Sequence, residues 1–154
     1  TTVLSRLGTA ESVDNSTLKF LTGTARNAVE SGEVVRQAAA ALRASTRIKD
    51  VPLWMQGERR MAGITLYASL FVPSVARLDL HHLDRSHRRG PIYLNVLRFL
   101  DVPQAVAMAA ERSRVRIYQP DNGGWEYPQQ VARALKWDAK QLVVRVLKPA
   151  ASPQ

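Results

Sequence analysis

A chain of 154 residues is the size of one domain and can bury a sizeable core. With 45% hydrophobic and 23% charged residues it reads as globular, and the lack of cysteine excludes disulfide scaffolds, thiolate zinc sites and cysteine nucleophiles. The net charge of +9 comes mostly from arginine, 17 against 5 lysines, and is spread over both halves, which excludes a dedicated nucleic-acid tail.

Thr1–Asn15 is mixed and polar and reads as extended. Ser16–Ala28 suits a short helix interrupted by Gly23. Ser31 can cap a firmer one, in which Val34, Val35, Ala38 and Leu42 form an apolar stripe ending near Ala44. Thr46–Pro52 breaks that helix and suits a short strand. Trp54-Met55-Gln56-Gly57 reads as a turn, Ile64–Phe71 as a strand, and Val75–Leu83 as its partner in a hairpin or meander. The uncharged run Met61–Ala76 is too short to span a membrane. Asp84–Gly90 is a polar, basic loop.

Ile92–Phe99 is rich in β-branched and aromatic residues and predicts a strand. Asp101 can cap the next helix, with Gln104 reaching back as in a capping box and Pro103 in the first turn, where its missing N–H costs little. Val102, Ala105, Val106 and Ala109 give that helix one apolar face. Arg114–Tyr118 then alternates, placing Val115 and Ile117 on one face and Arg114, Arg116 and Tyr118 on the other. Asp121-Asn122-Gly123-Gly124 is the strongest turn signal in the chain, Pro128 opens a helix running to about Trp137, and Leu142–Leu147 is a last strand. These elements predict an α+β fold: a small, mostly antiparallel sheet of four to five strands with two to three helices packed on one face. Residues 1–45 form a largely helical N-terminal extension, 46–148 the domain and 149–154 a tail.

Chemistry-bearing groups are sparse. His81, His82 and His87 lie near Asp79 and Asp84, but their spacing matches no zinc motif, and a solvated loop is the plainer reading. Arg85, Arg88 and Arg89 could meet phosphate or an acidic surface. Arg114 and Arg116 beside Tyr118 suit either RNA or a partner protein. Gly123-Gly124 is no phosphate loop, no serine has a recognisable His–Asp arrangement, and Trp54, Trp125 and Trp137 suit core or interface anchors. The chain is therefore expected to be no enzyme and to need no cofactor or metal.

Between Thr46 and Pro120 the order of elements resembles the AQDQ accessory-subunit family of mitochondrial respiratory complex I. Arg47-Ile48 and Pro52 stand where that family has its first strand, and Met55-Gln56-Gly57 where it has a Met-Gln-Ser-Gly turn. Tyr67 and Phe71 fit its aromatic strand, and Leu94, Val96, Leu97 and Phe99 a later one. Ala105-Val106-Ala107-Met108-Ala109 with Glu111-Arg112 is similar to its helix. Its Pro-Leu-x-Gly-Trp segment and C-terminal Tyr-x-x-Asn-Phe tail have no counterpart here. The resemblance implies a non-catalytic structural subunit of complex I, on the matrix side of the mitochondrial inner membrane, bound to other subunits, without a small-molecule substrate and not membrane-spanning. A cleaved presequence fits the absent initiating Met. The expected partner contacts are Met55, Gln56, Gly57, Arg88, Arg89, Arg114, Arg116 and Trp125. The alternative is an RNA-associated structural protein such as a mitochondrial ribosome subunit.

Overall fold

The computed structural model describes residues 33, 35–37, 39–40, 52–90, 93 and 95–147. Four strands, β1 (Leu53–Glu58), β2 (Val75–His81), β3 (Arg114–Gln119) and β4 (Leu142–Val146), form one sheet in the order β1-β2-β3-β4, and every neighbouring pair is parallel. The crossovers carry α1 (Arg60–Phe71), α2 (Val102–Arg112) and α3 (Glu126–Ala134). This is an α/β fold, and it corrects the expected antiparallel α+β sheet.

The correction has one source. Ile64–Phe71 was expected to be a strand and is the body of α1. A strand there would join its neighbours as a hairpin, whereas a helix there is a crossover and makes β1 and β2 parallel. The helical period is hidden because α1 is buried almost all round: Ala62 to Leu66, Ala68 and Ser69 are all inaccessible. The expected turn at Trp54–Gly57 is β1 itself, alternating buried and exposed along its length. Gly57 is needed for close packing: a Cβ there would lie 2.6 Å from the Met61 carbonyl oxygen and 2.8 Å from Ala62 Cα.

The predicted strand at Ile92–Phe99 is also absent among the described residues. Asn95 takes a left-handed conformation (φ 59°), Val96–Arg98 is a 3-10 turn, and Phe99 is 83% exposed. Aromatic and β-branched content signalled a half-buried pleat, but this segment has no sheet to lie in. Ile92 and Leu94 lie outside the described residues, as do Thr1–Asn15, Ser16–Ala28, Arg47-Ile48 and the tail after Leu147. Of the expected helix starting near Ser31, residues 33, 35–37 and 39–40 are helical, with Val35 and Ala39 in the core.

Elsewhere the local signals hold. Asp101 caps α2 with the full capping box to Gln104, β3 alternates as expected, and β4 covers Leu142–Val146. α3 begins at Glu126, two residues before Pro128. Connecting sequential parallel strands always in one direction places all crossover helices on one face of the sheet. Leu53, Met55, Leu78, Leu80, Val115 and Ile117 form the buried face beneath them. No helix among the described residues is long and apolar enough to cross a membrane.

Candidate functional site at the carboxyl edge and open face of the sheet

Ligands of open parallel α/β sheets bind outside the carboxyl ends of the strands, and among the described residues two positive-φ positions, Arg59 and His82, lie there. β1 ends at Glu58, Arg59 alone makes the turn at φ 52° and ψ −122°, and α1 starts at Arg60. A non-glycine residue rarely takes this conformation, and it is held by a hydrogen bond from the Arg59 N–H to the His81 carbonyl oxygen at 2.8 Å. Next door, His82 has φ 50°, and its N–H donates to the Tyr118 carbonyl oxygen at 2.9 Å. The Glu58 carboxylate sits between the two, 3.8 Å from Arg59 Nε and 3.7 Å from His82 Nδ1.

A tight strand-to-helix turn with a strained central residue and glycine two positions earlier is the backbone device that exposes the nucleophile of G-x-S-x-G hydrolases. Here the five positions read Gly57-Glu58-Arg59-Arg60-Met61. A glycine stands at the first of these positions and an arginine at the central, strained one. A guanidinium stays protonated in proteins and cannot attack a carbonyl. Sequence reading missed this turn, because without the serine and second glycine nothing in the motif announces it.

The edge continues across β2 and β3. His82, Arg85, Ser86, Arg89, Gln119 and Asp121 line a groove of about 430 Å³. Arg85 lies 2.5 Å from Asp121 Oδ1 and packs its side chain over Gly124, where an added Cβ would lie 2.6 Å from Arg85 Cδ. Asp121 also accepts from the Gly123 N–H, and these two partners, the Arg85 guanidinium first, hold its carboxyl below the usual range. Gln119 donates to the Leu83 carbonyl oxygen at 2.7 Å and fixes the start of the loop.

The three histidines do not converge. His81 stacks on Tyr118 with ring centroids 4.3 Å apart, His82 faces Glu58, and His87 is buried. His87 Nε2 lies 2.5 Å from the Tyr67 hydroxyl, and the two rings pack with Tyr93. Burial pushes the Tyr67 hydroxyl well above its ordinary value and that of Tyr93 up to about 12. The His87 N–H donates to Asp101 Oδ1 at 2.7 Å, so this cluster ties the loop to α2. Among the described residues no group of three or more His, Asp or Glu side chains could hold a metal ion.

The second face of the sheet carries no helix among the described residues. It presents Trp54 and Gln56 from β1, Arg77, Asp79 and His81 from β2, Arg114, Arg116 and Tyr118 from β3, and Val143 and Arg145 from β4. Arg77 pairs with Asp79 at 2.7 Å and lies over the Trp54 ring at 4.2 Å. Gln56 Nε2 is 3.2 Å from His81 Nε2.

Of the expected partner contacts, Gln56, Arg114 and Arg116 fall on this open face. Arg88 and Arg89 are exposed in the loop after β2. Met55 and Gly57 are buried under α1, not in a loop over a neighbour, because their strand positions point to the core. Trp125 is fully buried in the core. Comparison with protein-family models, with curated proteins and with solved structures found no significant match.

Proposed function

We propose that this chain is a non-catalytic α/β domain of nucleophile-elbow architecture that works by binding. The observation that carries the reading is Arg59, a fixed cation at the strained turn where a hydrolase would carry its serine. The surrounding groups agree. Glu58 and His82 form a carboxylate–imidazole pair with no hydroxyl nucleophile between them. Ser86, in the same groove, bonds through its hydroxyl to Asp101 and accepts from the Arg88 N–H. Turnover of p-nitrophenyl acetate by the purified chain tests this. Hydrolysis should not exceed the buffer rate and should not saturate, and a saturating rate that disappears on changing Ser86 to Ala would overturn the reading.

The narrower proposal of a complex I accessory subunit leaned on a turn at Met55-Gln56-Gly57 and an aromatic strand at Tyr67–Phe71. These residues lie in β1 and α1. Neither element supports that narrower proposal, and the reading proposed here is the non-catalytic, partner-dependent role. The RNA-associated alternative keeps one supporting observation, the shared face of Arg114, Arg116 and Tyr118.

A further inference from the structure

The second face of the four-stranded parallel sheet carries no helix among the described residues. Parallel sheets are almost always covered on both faces, since helical crossovers supply both layers. Here all crossovers go to one side, and among the described residues nothing covers the other. Its charges are unbalanced. Asp79 is committed to Arg77, while Arg114, Arg116 and Arg145 have no ion-pair partner among the described residues. Arg116 Nε is moreover buried without an acceptor. A buried guanidinium N–H without an acceptor costs stability, and charged acceptors make the strongest bonds to the guanidinium.

We propose that this face docks an acidic amphipathic α-helix supplied by a partner protein. The spacing fits. Arg114 and Arg116 are two residues apart on one strand, about 6.7 Å, and carboxylates four apart on a helix have Cβ atoms about 5–6 Å apart. Arginine forks take carboxylates in pairs of hydrogen bonds, which lysine does not. Val143 on β4 gives the apolar side of such a helix a contact. Single-stranded RNA is the weaker occupant because the rings are already engaged. Arg77 lies over Trp54, and His81 lies flat on Tyr118, with 5° between the planes. Bases would have to displace these contacts to stack.

The inference rests on the reading that the chain works by binding, and it can fail without touching the ester assay, which probes for hydrolysis at the carboxyl edge. The probe is a fluorescent 20-residue helical peptide with glutamates at i and i+4 beside a leucine stripe, titrated with the full chain and followed by anisotropy. Binding should saturate, and R114A/R116A should weaken it at least tenfold. The control R98A/R133A, which removes two exposed arginines off this face, should change it less than twofold. Because Arg116 is partly buried, exposed Arg145→Glu gives an independent arm and should weaken binding at least fivefold. Equal losses in control and test variants would overturn the proposal. So would tighter binding of oligo-uridylate than of the peptide with the same dependence on Arg114 and Arg116, or a self-associated dimer that buries Trp54 and excludes the peptide.

Discussion

Gly57 and Arg59 carry the structural argument at the scale of single residues. A methyl group at position 57 would press on backbone atoms of α1, which cannot swing away as a side chain could. Gly57→Ala should therefore cost about 2–3 kcal/mol, the upper part of the overpacking range, read as a lower urea midpoint with unchanged slope. Arg59 is the opposite case. Its conformation costs an L-residue of order 1 kcal/mol and costs glycine little. Arg59→Gly should raise stability by about 1 kcal/mol in the same assay, and an unchanged or lower midpoint would show that the arginine side chain stabilises the turn. Neither role was legible beforehand. A glycine at the end of a strand looks like a turn residue, and an arginine beside another arginine looks like solvated charge. Tryptophan suits core and interface equally in sequence, and the packing at the start of α3 places Trp125 in the core.

Elements with local chemical signals could be read from the sequence, and those defined by tertiary burial could not. α2 announces itself through Asp101, Pro103 and Gln104, and its cap is formed as expected. β3 announces itself by strict alternation. α1 has no polar face and lost its period, and the segment before α2 had strand composition without a sheet to join. Asp101 also explains how the long loop after β2 is held. Burial alone would raise its carboxyl, but hydrogen bonds from Ser86 and from the His87 and Val102 N–H groups outweigh it and leave the group below its ordinary value. A depressed folded-state value means that ionised Asp101 contributes its full stability above the unfolded value, about pH 4. That contribution is lost as the pH falls through the folded value. Asp101→Asn keeps capping ability but does not titrate. The difference in urea midpoint between the two proteins should be largest near pH 7 and should shrink below about pH 4. A difference that stays constant to pH 3 would assign the loop's anchoring to other contacts, such as the Tyr67–His87 pair.

Over the whole molecule, one misread helix changed the fold class. With α1 in place, β1 to β4 become a one-directional parallel sheet. One face is closed by helices and the other is lined with arginine, histidine, tyrosine and tryptophan. The strained strand-to-helix turn, which holds a guanidinium, is not visible in the sequence. The proposed role follows from that substitution, since the architecture that elsewhere presents a nucleophile here presents a permanent cation. The most direct test is intact-mass measurement after incubation with a fluorophosphonate, which reacts covalently with activated serine. The account predicts an unchanged mass at equimolar and tenfold reagent. A single stoichiometric adduct, mapped by peptide digestion to the carboxyl edge, would contradict it, because it would mean that an activated hydroxyl exists there despite Arg59.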